Sequence, residues 1–148
     1  RTEAQEFIDA YFARYPRIRS FIDDCIQTAR NKGHVETLLG RRRPIPEIHS
    51  QNNNTRALGE RLAVNTVIQG SAADIIKIAM VRLYRRIHAE GLPLRMLLQV
   101  HDELVCETPR SSVEEMVAVV REAMTGELPL SVPLKVDIAA GGNWLEAK

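Results

Sequence analysis

Arg95-Met96-Leu97-Leu98-Gln99-Val100-His101-Asp102-Glu103-Leu104-Val105-Cys106-Glu107 is the stretch that decides the fold. Two short apolar runs, rich in Leu and Val, flank the polar triplet His101-Asp102-Glu103. That pattern reads as a strand, a tight turn and a second strand. Two acidic groups at the tip of a hairpin repel each other, and a cation beside them removes the repulsion; hard carboxylate oxygens suit Mg²⁺. A solvated turn accounts for the same three residues, so the triplet by itself leaves both readings open.

Upstream of the hairpin, the spacing predicts one long helix from about Thr55 to Glu90, ended by Gly91 and Pro93. Its apolar residues are Leu58, Leu62, Ile68, Ala72, Ile75, Ile76, Ala79, Leu83 and Ile87. Arg61, Asn65 and Gln69 recur every four residues and form a polar stripe on this helix. They stand among Leu62, Ala63, Val64, Val67 and Ile68, which read as buried. Such a stripe faces a groove, a ligand or simply water. Gly70 follows, at a cost to the helix of about 1 kcal/mol relative to Ala, which points to close approach by another backbone or a ligand.

Downstream, Ser111 and Ser112 each precede a glutamate by three residues, giving two capping-box options for a helix buried through Val113, Met116, Val117, Val120 and Met124. Leu134-Lys135-Val136-Asp137-Ile138 alternates like a half-buried strand. Gly141-Gly142-Asn143-Trp144 reads as a loop held by its tryptophan. Long helix, hairpin, helix and strand together make an α+β layer, a small antiparallel sheet with helices on one face.

The first third is mostly helical. Thr2-Glu3-Ala4-Gln5 has the pattern of a capping box. Phe7, Ile8, Tyr11 and Phe12 share a face, and Tyr15-Pro16 breaks the helix. A second helix carries Ile18, Phe21, Ile22, Cys25 and Ile26 and stops at Gly33; these apolar faces read as core. His34 to Leu39 is strand-like, Gly40 permits a turn, and Arg41-Arg42-Arg43 runs back. Three adjacent arginines are either solvated or aimed at phosphates. Ser50-Gln51-Asn52-Asn53-Asn54-Thr55 reads as a polar, mobile linker.

With 148 residues, 45% hydrophobic and 26% charged, the chain is globular. A net charge of +1 announces no general affinity for nucleic acid; the basic character is local, at Arg41 to Arg43 and along Arg82, Arg85 and Arg86. Cys25 and Cys106 form no metal or redox motif, which suits a reduced, intracellular setting. No uninterrupted apolar run approaches the roughly 18 residues of a membrane span, so no membrane partner is expected. The chain opens without Met, directly on a helix, and reads as part of a longer protein.

Gln99-Val100-His101-Asp102-Glu103-Leu104-Val105 resembles motif C of the family A DNA polymerases. Thr37-Leu38-Leu39-Gly40-Arg41-Arg42-Arg43, Glu60-Arg61-Leu62-Ala63-Val64-Asn65, Gln69-Gly70-Ser71-Ala72-Ala73-Asp74 and Gly142-Asn143-Trp144-Leu145 match the same family in the same order. The likeness covers essentially the whole chain. It implies a piece of a right-hand polymerase fold, with 1–56 the end of the fingers and 57–148 the C-terminal part of the palm. It also implies a cytoplasmic, nucleoid-associated bacterial protein.

The resemblance further implies a role for each matching residue. Asp102 would be one of two metal-bridging carboxylates in a two-Mg²⁺ site, Glu103 would tune the field or bind metal indirectly, and His101 would lie near the primer terminus. Arg61, Asn65 and Gln69 would meet the template–primer duplex, and Arg41 and Arg42 its phosphates, with Arg43 not assigned. The implied partners are primer–template DNA, deoxynucleoside triphosphates and the remainder of the polymerase chain. By the same resemblance, the second metal-binding aspartate, the residues that hold the triphosphate, and the thumb lie outside this sequence, so the fragment alone is expected to be inactive. Two other readings remain, a duplex DNA-binding module in which Asp102 is inert, and a polymerase relative that has lost catalysis.

Overall fold

The structure is a computed structural model that describes residues 2–126 and 130–147. Those residues form two compact units, 1–71 and 72–148, which share one long helix. Among them are four α-helices and two two-stranded antiparallel sheets. The α+β expectation holds, with two small hairpins in place of one sheet.

In the first unit, α1 (Thr2–Arg14) gives way to α2 (Pro16–Lys32), with Pro16 in the first turn of α2, where a missing N–H costs nothing. The expected capping box at Thr2 is not made by Gln5, whose amide donates forward to Asp9 Oδ1 at 2.9 Å; the Thr2 side chain lies outside the described residues. β1 (His34–Glu36) and β2 (Arg42–Pro44) pair antiparallel with Val35 opposite Arg43. Gly40 turns the chain between them at φ +80°. Val35, Ile45, Ile48, Ala29 and Ala63 form the core of this unit, flanked by Ile26, Leu62 and Val67.

Several expectations for this unit are corrected. Phe7 is 73% exposed, and Ile8, Tyr11, Ile18 and Phe21 also stand open. An apolar face this wide needs more cover than α2, against which α1 packs. Ser50 to Thr55 is no linker. A 3-10 turn over Pro46–His49 leads into α3 (Asn53–Glu90), and Asn52 caps that helix, its Oδ1 accepting from the amides of Asn54 at 2.8 Å and Thr55 at 3.3 Å. Ile68, expected to be buried, is 56% exposed.

The helix α3 contains an 18-residue window of mean hydropathy 1.2, enough by length and composition alone for a membrane span. Polar residues break the apolar run without lowering the average below that mark. Its buried hydrophobic members, Ala63, Ala79 and Leu83, lie in the protein's own interior.

In the second unit, β3 (Arg95–Val100) and β4 (Glu103–Glu107) form the expected hairpin, with a bulge between Met96 and Leu98. A 3-10 turn over Arg110–Ser112 precedes α4 (Val113–Thr125). Leu83, Leu94, Met116, Val119 and Ala123 are the core, with Ile87, Met96, Cys106 and Val120 packed around them. Ser112 is the residue before α4 but makes no side-chain capping bond, so neither capping-box option is realised. Val119 and Ala123 carry more of the burial than expected; Val113, Val117, Val120 and Met124 are half-buried. Arg86 donates to Glu90 at 2.9 Å and to Glu122 at 2.6 Å, tying α3 to α4, so this member of the basic run is held by two carboxylates.

The segment 134–138 keeps its alternation, half-buried at Leu134, Val136 and Ile138, yet it forms no strand. A strand is made by a neighbour's hydrogen bonds, and none of the described strands pairs with it. What holds it is Arg121, whose Nη1 donates to the Val136 carbonyl at 2.7 Å. The terminal loop is held by Asn143 and Glu146, through bonds of 2.7 and 3.1 Å, while Trp144 is 42% exposed.

Candidate active-site hairpin and nucleic-acid interface

The β3–β4 turn is tighter than the sequence suggested. Val100 pairs with Glu103, which leaves His101 and Asp102 as the whole turn and makes Glu103 the first residue of β4. Among the described residues, His101 is the one non-glycine with positive φ, at +54°. Two-residue hairpin turns need such angles to match the twist of the strands. The Gln99 side-chain amide, two residues earlier, donates to the carbonyl oxygen of His101. Sequence reasoning passed over Gln99; the signal was a lone amide inside an apolar strand.

His101, Asp102 and Glu103 are all exposed, and among the described residues no hydrogen bond or ion pair engages their side chains. The two carboxylates are adjacent, open to solvent, and made of the hard oxygen donors that Mg²⁺ accepts. No group of three or more His, Cys, Asp or Glu side chains is poised to hold a metal among the described residues. The donor chemistry fits the ion, but two carboxylates alone fall short of a complete coordination set. The thiol of Cys106, on β4 opposite Met96, is pushed up by burial, as is that of Cys25 by burial and then by Asp24. Neither has the lowered pKa of a reactive cysteine.

The other candidates lie in the first unit, at the docking of the β1–β2 turn on α3. Leu38 donates its amide to Ser71 Oγ at 2.9 Å, and Arg41 Nη2 donates to the Gly70 carbonyl at 3.1 Å. Thr37 Oγ1 accepts from the Arg41 amide at 3.1 Å, and Arg43 Nη1 donates to Thr66 Oγ1 at 3.2 Å. Thr37, Thr66 and Ser71 are buried in this contact. The close approach that Gly70 permits is thus made by the chain's own turn. Two stretches far apart in sequence, 37–43 and 66–71, form one surface.

Arg41, Arg42 and Arg43 are exposed, and each also has an intramolecular partner. Arg42 uses its Nε, which donates to Glu36 Oε1 across the hairpin at 2.8 Å. That bond is the main reason the Glu36 carboxyl lies below its ordinary range; partial burial opposes the shift, and the charges of Arg42 and His34 assist it. The Nε bond leaves the two terminal nitrogens of Arg42 as a fork for an anion. The structure also exposes Arg61, Asn65 and Gln69 on α3, four residues apart, with no hydrogen bond or ion pair from their side chains among the described residues.

Residues 1–146 match the family model described as DNA polymerase family A. The chain is 51% identical over 148 residues to DNA polymerase I of Geobacillus stearothermophilus and 50% identical over 148 residues to DNA polymerase I of Streptococcus pneumoniae serotype 4. Each alignment covers 100% of this chain and 17% of the relative, so the chain spans about a sixth of those proteins. Among solved structures, the POL domain of Pol1 from M. smegmatis, in complex with DNA primer-template and dNTP, superposes with a TM-score of 0.94 at 44% identity. That superposition covers 99% of this chain and 26% of the other.

Proposed function

Since the chain belongs to DNA polymerase family A, we propose that it supplies the hairpin half of the active site in a DNA-directed DNA polymerase that adds nucleotides to a primer 3′-hydroxyl. The observation that carries this reading is the open carboxylate tip, Asp102 with Glu103 beside it, in a chain that aligns from end to end with DNA polymerase I relatives.

Phosphoryl transfer asks little covalent chemistry of the protein; it asks for positioning and charge stabilisation. Asp102 would offer its carboxylate as a metal ligand, and Glu103 would add negative charge or bind indirectly. Mg²⁺, when bound, supplies electrostatic stabilisation of the attacking and leaving oxygens. A second carboxylate and the groups that hold the triphosphate come from the rest of the polymerase chain. His101 stands next to the primer terminus.

Arg61, Asn65 and Gln69 donate into the minor groove of the primer–template duplex. Acceptors there are nearly the same for every correct pair, so donors can test pair geometry without reading sequence. Arg41 and Arg42 contact backbone phosphates. In this assignment 1–56 closes the fingers and 57–148 belongs to the palm.

The test is Asp102→Ala in the complete polymerase. Single-turnover incorporation falls by about a thousandfold or more, equivalent to about 4 kcal/mol of transition-state stabilisation, while DNA affinity is unchanged. Incorporation within about tenfold of the parent overturns the assignment. In that case the open donor stripe on α3 favours a duplex-binding module.

A further inference from the structure

We propose that Gln99 is a positioning residue for the Asp102 carboxylate, acting by holding the His101–Asp102 peptide in place. The inference rests on the role given above to Asp102 and assigns a function to a side chain that role does not include.

No side-chain partner among the described residues orients Asp102. Its carboxylate is exposed and has no hydrogen bond or ion pair among the described residues. What the fold fixes is the Cα–Cβ bond from which it hangs, set by a two-residue turn whose first residue, His101, has φ +54°. A residue with a Cβ is disfavoured in the left-handed region. Asn and Gly are the usual occupants of such turns. Among the described residues the His101 imidazole has no hydrogen bond that would offset this, so the turn needs support from elsewhere.

Gln99 provides it. From β3, opposite Leu104, its side-chain amide donates to the His101 carbonyl. That oxygen belongs to the peptide whose nitrogen is Asp102 N. Fixing it fixes ψ of His101 and φ of Asp102 together, and with them the Cα–Cβ direction of Asp102. Partners one bond removed from a metal ligand commonly matter about 10- to 100-fold to metal affinity or activity, through orientation alone.

The test compares Gln99→Met, which keeps the stem and loses the donor, and Gln99→Glu, which sets an acceptor against an acceptor, with the parent in the complete polymerase. One readout is amide hydrogen exchange at Asp102 and Glu103 without DNA, nucleotide or metal. The other is the single-turnover rate, with the nucleotide KM and DNA Kd measured separately. Expected for Gln99→Met are faster exchange at Asp102, a maximal rate lower by about tenfold, and KM and Kd within about twofold of the parent. Gln99→Glu should show the larger change in both exchange and rate.

Unchanged exchange overturns the inference, and so does faster exchange with an unchanged rate. A weakened DNA Kd with parental exchange would make Gln99 a DNA contact instead. The Asp102→Ala arm separates the two levels. If that variant incorporates normally, the role of Asp102 fails; if it is inactive and Gln99→Met is parental, this inference alone fails.

Discussion

The methyl group of Thr37 stands where a side chain on Gly70 would have to go. A Cβ at Gly70 would lie 2.8 Å from Thr37 Cγ2 and 3.3 Å from Arg41 Nη2. Gly70 is therefore an internal seat for the arginine-bearing turn, and the helix accepts its weaker propensity so that the turn can dock.

Gly70→Ala should accordingly loosen the turn. Alanine gains about 1 kcal/mol of helix propensity, and forcing a methyl into a filled contact costs about 1–3 kcal/mol. The net effect expected is a local loss of about 1 kcal/mol. The amide of Leu38, bonded to Ser71 Oγ, should exchange several-fold faster with solvent, while the β3–β4 hairpin keeps parental protection. Parental exchange at Leu38 would mean that Thr37 and Arg41 adjust freely and that the seat is not tight.

The Glu36–Arg42 pair gives an acid-dependent prediction. The folded carboxyl of Glu36 lies below its ordinary 4.5, first because Arg42 donates to it. A group depressed in the folded state adds stability that is present above its unfolded value and lost as pH falls through the folded one. The difference in urea midpoint between parent and Glu36→Gln should thus be fully present near neutral pH and shrink as pH drops below 4.5. It should be small throughout, because the pair is exposed. Near neutral pH, Glu36→Gln should also tighten DNA binding at low salt, because it removes a carboxylate that competes with phosphate for Arg42.

The hairpin at 95–107 and the long helix were legible because each announces itself locally, one by two apolar runs about a turn, the other by helical spacing over ten turns. The failures share a cause. Alternation at Leu134, Val136 and Ile138 says that one side is half-buried, but a strand also requires a neighbour. The apolar face of Phe7, Ile8 and Tyr11 says that something should cover it and cannot say what. Asn52 looked like linker because the residues that cap a helix are those that populate loops. At the candidate site, the triplet His101-Asp102-Glu103 was readable. The Gln99 bond to the turn, and the docking of 37–41 on 66–71, depend on three-dimensional proximity that no spacing rule encodes.

The chain expressed alone should not extend a primer. In the proposed assignment Asp102 and Glu103 offer only part of a metal-binding set, and the open apolar residues, from Phe7 to Leu145 at 83% exposed, should bind a hydrophobic dye and promote self-association. Template-dependent extension by the purified 148-residue chain would show that the hairpin needs no second carboxylate.

Two kinds of DNA contact are proposed within the first unit. Gln69 is neutral, exposed and unengaged on α3, in line with Arg61 and Asn65; Arg42 carries a charge and presents its terminal nitrogens beyond Glu36. A neutral donor in the minor groove bonds acceptors that correct pairs share and mispairs displace. Losing it removes a check on geometry and releases no counterion. Losing an arginine that neutralises a phosphate lowers affinity and reduces the salt slope by about one. For Gln69→Ala in the complete polymerase, extension from matched termini should slow more than extension from mismatched ones, with DNA affinity and its salt dependence near parental. For Arg42→Ala, affinity should fall and the slope flatten, with the matched-to-mismatched ratio held. Titrations over a range of salt, run beside extension from matched and mismatched primers, check both at once. If Gln69→Ala flattens the slope and preserves the ratio, the stripe on α3 is not a minor-groove sensor, and its exposure reflects only a solvated helix face.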